Sequence, residues 1–316
     1  MGAREAVFSS SEDRTRASQA TVPEAWGPVV SHHPRAWARN AAESLFAVLF
    51  PSDCRICGAP LTNISRLPVC RQCLDGIRPA SGKVCSVCGE RVFSTQLFYD
   101  AGGDLLCRLC HSVQAPFAKA VSYGRYEKGL RDLIHLLKYG GVRPAANALG
   151  GMLADAILPL DSVFGKEPIA AIAVPLHVSK RRERGFNQAE LIAAAAIRLH
   201  SAGGRLRLTE RVLERRRETR SQIGMTPHQR RENMRGAFAV TRSQAIKGRE
   251  VLLIDDVYTT GATVSECARV LLRAGASRVW VATVARTPKM ASQYGETESP
   301  ADQESVATEM PPALAS

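Results

Sequence analysis

The chain has 316 residues, of which 45% are hydrophobic and 23% charged, and its formal net charge is +12. That length accommodates one large domain or two ordinary ones, and the apolar fraction is sufficient for a buried core. No run of 18 apolar residues occurs, which excludes an apolar spanning helix, and the first thirty residues lack the apolar stretch of a secretory leader, so no membrane insertion and a cytoplasmic, reducing location are expected.

Residues 1–40 are polar and irregular and are expected to be a disordered tail. "ESLFAVLF" (43–50) is too short to cross a bilayer and reads as an amphipathic packing segment. A small module then spans 41–115. Eight of the nine cysteines fall here as C-x-x-C pairs: Cys54/Cys57, Cys70/Cys73, Cys85/Cys88 and Cys107/Cys110, separated by 12, 11 and 18 residues. Two such knuckles supply the four thiolates of a tetrahedral zinc site, so eight cysteines make two structural Zn²⁺ sites. Consecutive pairing, 54/57/70/73 and 85/88/107/110, is the simplest, and an interleaved pairing satisfies the same count. Gly58 and Gly89 follow the second cysteine of their pairs, where a knuckle needs positive φ. Structural disulfides fit a reducing location poorly, and one redox-active pair would leave six cysteines unexplained. His111 is surplus to the ligand count and reads as surface. With few large apolar residues, the module depends on its metal to fold.

From 118 to 288 the pattern changes. "KAVSYGRY" (119–126) alternates like an edge strand. Leu130, Leu133, Ile134 and Leu137 recur at helical spacing and stop at Gly140-Gly141. "NALGGMLADAIL" continues as a second helix, and "IAAIAVP" (169–175) is a continuous apolar run, as a buried parallel strand is. "NQAELIAAAAIRL" is a helix and "VLLIDD" a strand. "VSECARVLLRAGA" is a helix presenting Val264, Cys267, Ala268, Leu271 and Leu272 on one face, and "SRVWVATVAR" is a final strand. Alternating strands and helices place the chain in the α/β class with a parallel sheet. Residues 178–250 hold 18 basic and 7 acidic side chains, net +11, nearly the whole surplus of the chain. Such a run implies an anionic partner or a solvated face. Residues 289–316 are expected to be a disordered acidic tail.

The stretch "VLLIDDVYTTGAT" (251–263) carries the chemistry. A buried strand ends in Asp255 and Asp256, and a Thr/Gly turn then opens onto a helix. Ligands of parallel sheets bind beyond the carboxyl ends of the strands. Backbone N–H groups at the helix start cradle an anion, and Gly261 permits close approach. The carboxylates repel phosphate and suit hydroxyl donors. A phosphate in the turn and a diol against the acids together describe a ribose 5-phosphate. A Walker-type nucleotide site is excluded, because no G-x-x-x-x-G-K-[ST] occurs. A receiver domain needs further acceptor groups on later strands, and only one strand follows.

This stretch resembles the phosphoribosyl diphosphate (PRPP) signature of type I phosphoribosyltransferases. Taken with the eight-cysteine module, "LIHLLKY" around Lys138, "AVPLHVSKRRERGFNQ" (173–188) and "RRETRSQIGMTPHQRRENMRGAF" (216–238), the chain is similar to the ComF family, the competence-protein F and GntX-like group. The resemblance implies a double zinc-ribbon module followed by a type I phosphoribosyltransferase-like parallel sheet with helices on both faces. It implies that Asp255 and Asp256 hold the ribose hydroxyls and that Thr259, Thr260, Gly261, Ala262 and Thr263 wrap the 5-phosphate. Pro175 and Leu176 fall where the family contacts diphosphate, Arg184 steadies it, and Lys138, Arg217 and Arg230 complete the PRPP-binding set. Residues 215–235 correspond to a mobile loop that closes over PRPP, with Gln222 among its motif positions. Mg²⁺ is implied as the companion of PRPP.

Two readings follow. One is an enzyme of pentosyl transfer moving phosphoribose from Mg-PRPP to an acceptor the sequence does not name. The other is a non-catalytic accessory protein handling single-stranded DNA during uptake in natural transformation, with DNA or competence-machinery proteins as partners. An oligomer is compatible with both.

Overall fold

In the computed structural model, residues 52–61, 65–93, 97–200, 204–219 and 225–288 are described. Both expected tails, the 43–50 segment and Gln222 lie outside them. The module at the start holds helix α1 (Arg71–Asp75), strands β1 (Phe98–Tyr99) and β2 (Leu105–Leu106), and helix α2 (Arg108–Ser112). It is built from two similar halves. Gly58 N–H donates to Cys54 O and Gly89 N–H to Cys85 O, and each glycine has positive φ. The bridges Asp53–Pro60 and Val84–Arg91 close the two knuckles in the same way.

A five-stranded parallel sheet follows, in the order β3 (Lys119–Arg125), β9 (Arg278–Arg286), β8 (Glu250–Tyr258), β4 (Ile169–Ala173), β5 (Leu206–Leu208). Parallel strands are buried on both faces, which is why β4, β8 and β9 are almost continuously apolar. Alternation along β8 sends Leu252 and Ile254 to one face and Val251 and Leu253 to the other. The first face is covered by α3 (Lys128–Lys138), α4 (Ala145–Ile157) and α6 (Gln188–Leu199). Gly150 sits where α4 crosses α6, and a Cβ there would come within 2.4 Å of Ala195 Cβ, so the helices touch backbone to side chain. The second face is covered by α8 (Ala262–Arg273) and by a hood. The hood consists of the antiparallel pair β6 (Leu213–Arg215) and β7 (Phe238–Val240) with α7 (Pro227–Met234) between them in sequence.

The expected strands and helices of the sheet are all present. One detail differs: Leu272 is 37% exposed and only Val264, Cys267, Ala268 and Leu271 of the expected face are buried. At about 100° per residue, Leu272 falls about 90° from the centre of the arc formed by Val264, Cys267, Ala268 and Leu271, outside the buried stripe. The hood differs too. Its basic run holds Met234, which is fully buried, and Thr226 with Gln229 forms a capping box that starts α7. One apolar anchor and one cap suffice to dock a helix that composition alone reads as solvated.

Burial predicts mutational cost. Leu133→Ala removes a fully buried side chain from α3 and should lower unfolding free energy by about 2–5 kcal/mol. Leu272→Ala should stay within about 0.5 kcal/mol, both measured by urea denaturation.

Candidate functional site

Each cysteine tetrad is assembled. The four Sγ atoms of Cys54, Cys57, Cys70 and Cys73 lie within 4.8 Å of one another, and so do those of Cys85, Cys88, Cys107 and Cys110. Pairing is therefore consecutive. Cys57–Cys70 and Cys88–Cys107 are each 3.7 Å apart. Zn–S bonds of about 2.3 Å in a tetrahedron separate the sulfurs by about 3.8 Å, so both sites fit zinc. All four positions are protein thiols, which is the pattern of a structural rather than a catalytic metal. His111 is exposed and stacks on Phe98 at 4.6 Å, apart from the ligands.

The two ribbon halves straddle the β3 edge. Cys54, Val69 and Ile77 join the core on the α3–α4 face, whereas Cys85, Cys88, Leu106 and Cys107 join the core on the α8 face. Ala120 N–H of β3 donates to Val87 O, and a Cβ on Gly89 would lie 2.9 Å from Ala120 O. The edge strand is thereby capped by the metal module.

At the carboxyl ends of β4 and β8 lies a cleft of about 1200 Å³. Lys138, His177, Lys180, Arg184, Arg215, Asp256, Thr259 and Thr263 are among its lining residues. Gly261 begins α8 with φ +79, and Tyr258 Oη occupies the space a Cβ would need, 2.2 Å from it. The Thr260 hydroxyl is buried and has no hydrogen-bond partner among the described residues. Pro175 and Leu176 are half-buried in the turn after β4, and the next residue, His177, reaches the cleft and caps α5 (Val178–Arg184). Asn187 fixes that turn from behind, donating to Val174 O at 3.0 Å while its own oxygen caps α6.

Strand β8 does not end at the acids; it continues to Tyr258. Alternation therefore puts Asp256 on the α3 face and Asp255 on the α8 face. Asp256 lines the cleft and forms a buried ion pair with Lys138, Nζ to Oδ2 2.8 Å. Burial alone would lower the Lys138 ammonium, but the Asp256 charge holds it above its ordinary value. Asp255 accepts a hydrogen bond from Asp256 N–H at 2.9 Å and does not line the cleft. Burial, and after it the Asp256 carboxylate, pushes Asp255 up to about 7. Arg217 donates to Asn233 O and Arg235 O, and Arg230 donates to Met225 O, so both brace the hood rather than the cleft. Arg184 lies over Tyr139 at 5.6 Å and bonds Gln188.

Sequence reasoning missed Arg215, Lys180, Tyr258 and Arg286. Arg215 lies in the basic run, where nothing distinguishes one arginine from another, and the three-residue strand β6 that carries it leaves no pattern in the sequence. A second cleft, about 1220 Å³, lies between the ribbon and β3. It is lined by none of the residues expected to bind PRPP, so the site is assigned to the first.

A family model for a phosphoribosyl transferase domain matches residues 191–302, and one for a double zinc ribbon domain matches 45–114. The DNA utilization protein YhgH of Escherichia coli O6:H1 is 30% identical over 239 residues, 75% of this chain and 98% of its own length. Competence protein F of Haemophilus influenzae is 28% identical over 69% of this chain and 96% of its own. Competence protein ComFC of Bacillus subtilis is 24% identical over 66% and 79%. A zinc-ribbon module joined to a phosphoribosyltransferase-type sheet defines the class. Within it, the chain belongs to the ComF family.

Two measurements follow. Metal analysis of protein purified without chelator should give about two equivalents of zinc per chain; one or none, with titratable disulfides, contradicts the sites. Asp255 titrates higher in the folded chain than in the unfolded one. Its penalty on folding should therefore set in above pH 3.8 and be complete above about 7. Asp255→Asn should raise the melting temperature at pH 8 and leave it unchanged near pH 3.5, as followed by a pH series of thermal melts.

Proposed function

We propose that the chain binds Mg-PRPP in the cleft between β4 and β8 and transfers its phosphoribosyl group to an acceptor, in association with competence. The lining of the cleft carries this reading: Asp256, Thr259 and Thr263 from the end of β8 and the turn after it meet Lys180, Arg184 and Arg215. In the same turn the buried Thr260 hydroxyl has no hydrogen-bond partner among the described residues, at a cost of about 1–3 kcal/mol. Around it the 259–263 backbone offers N–H groups at a helix N-terminus, suited to the 5-phosphate. Asp256 is the acid placed to accept from a ribose hydroxyl. Asp255, on the other face of the sheet, supports the site by accepting from Asp256 N–H.

In the reaction the C1–O bond to diphosphate breaks and its electron pair leaves with the diphosphate. A lone pair of the acceptor then fills the oxocarbenium-like C1. The protein's work is positioning and charge stabilisation. Arg184, Lys180 and Arg215 are placed to receive the departing diphosphate, with His177 and the Pro175-Leu176 turn beneath it. Mg²⁺ enters as the counter-ion that PRPP carries. Arg217 and Arg230, by bracing the hood, would shape its approach to the cleft.

The surplus of +11 over residues 178–250 favours a second reading, single-stranded DNA as the anionic partner. Charge alone specifies less than the β8 turn does, so PRPP is preferred.

Calorimetry should detect Mg-PRPP binding to the zinc-loaded protein. Thr260→Val keeps the shape, removes an unsatisfied hydroxyl, and should leave stability equal or higher while weakening PRPP by about tenfold. Asp256→Asn should abolish binding and also cost stability, because it strands the Lys138 charge. Wild-type protein that ignores PRPP, yet binds single-stranded DNA with a salt slope of about −0.7 per phosphate, would favour the DNA reading.

A further inference from the structure

The 259–261 turn rests on the end of β9. Gly261 has no side chain because Tyr258 Oη fills that space. Tyr258 is buried, and its ring is sandwiched between Phe117, edge-on at 6.5 Å, and the Arg286 guanidinium, 4.1 Å from the ring centre. Register pairs the same two residues across the sheet, Tyr258 with Arg286, and Thr287 N–H closes the pair on Tyr258 O at 2.9 Å.

Arg286 is the last residue of β9 and is itself buried. What holds its side chain is the Cys85/Cys88 knuckle of the second tetrad. Its Nη1 donates to Cys88 O at 2.6 Å, Nη2 to Glu90 Oε2 at 2.8 Å and to Cys88 Sγ at 3.6 Å, and Nε to Glu90 Oε2 at 3.2 Å. A zinc-bound cysteine keeps thiolate character, so Arg286 donates to a metal ligand on one side and supports the turn on the other. Among the described residues the first tetrad has no such link: Cys54, Cys70 and Cys73 pack with α3 and α4 on the opposite face.

We propose that Arg286 is a positioning residue through which the second tetrad, once it holds zinc, sets the shape of the turn that receives the phosphate. The phosphate rests on the function proposed above; the mechanical link does not. Zinc in the second site and ligand in the turn should therefore favour each other, because coupling between two sites is reciprocal. Loss of zinc there, or oxidation of its thiolates, would release Arg286 and loosen the turn from about 150 or more residues of sequence away, whereas the first site would be indifferent to the ligand.

The test uses the full zinc-loaded chain. Hydrogen–deuterium exchange should show the 259–265 amides exchanging about tenfold faster in Arg286→Lys, while peptides within 188–199 keep the wild-type rate. Lysine retains the charge but can neither fork onto Glu90 and Cys88 nor stack flat on Tyr258. Glu90→Gln touches no cysteine and leaves Tyr258 in place but removes the carboxylate that Arg286 forks onto; it should accelerate the same amides with both zincs retained, and so decides the matter if Arg286→Lys sheds metal. Zinc release to a chromophoric chelator supplies the reciprocal readout. Mg-PRPP should slow release of one of the two zincs in the wild type and of neither in Arg286→Lys. Unchanged exchange at 259–265 in both variants would overturn the proposal, as would equal protection of both zincs in a wild type shown by calorimetry to bind Mg-PRPP. A wild type that does not bind Mg-PRPP sinks the proposed function instead, and the exchange data still decide the role of Arg286.

Discussion

A parallel sheet has to be covered on both faces, and at its edge it must not offer a bare ladder to another chain. Nearly everything in this molecule answers that demand. Three helices bury the face that carries Leu252 and Ile254, and α8 with the hood buries the face that carries Val251 and Leu253. The ribbon caps β3 and reaches round it, one half to each core. The cysteine-rich module is thus made part of two hydrophobic cores at once. Zinc held there would stabilise more than the ribbon.

The same demand explains the electrostatics of the cleft. Two adjacent acids on a fully covered strand must face opposite sides, and each meets a different solution. Asp256 is neutralised by Lys138 at 2.8 Å. Among the described residues Asp255 has no such ion pair, and burial pushes it up to about 7. The Thr260 hydroxyl is a third polar group held at a cost. Such costs gathered at one strand end fit the binding role proposed for the cleft.

Much of this was legible in the sequence. The eight cysteines declare their chemistry by spacing, because a knuckle allows few alternatives. The continuous apolar runs of β4, β8 and β9 and the 3.6-residue period of α3 are equally plain, since burial on both faces and on one face leave different patterns. The turn at 259–263 was legible by type of residue. What was not legible is direction. Sequence placed Asp255 and Asp256 together at a strand end; only the length of β8, set by its pairing with β9 as far as Tyr258 and Arg286, separates them. Arginines 217 and 230 could not be told from Arg184 or Arg215, because their roles depend on which carbonyl or cleft lies within reach. The hood strands β6 and β7, three residues each, are too short for any period to show.

Glu90 and Arg286 are 196 positions apart, near the two ends of the described fold. In a growing polypeptide the ribbon leaves the ribosome early, while β9, which must insert between β3 and β8, leaves late. Glu90 and Cys88 therefore spend most of synthesis without the guanidinium that covers them in the finished protein, and β3 spends it as a lone strand against the ribbon. Only when β9 slides in does the sheet become continuous, and that same event seats Arg286 and tightens the turn before α8. Such long-range closure makes for slow folding. It also means that the turn before α8 gains its support from Arg286 only in the step that completes the sheet.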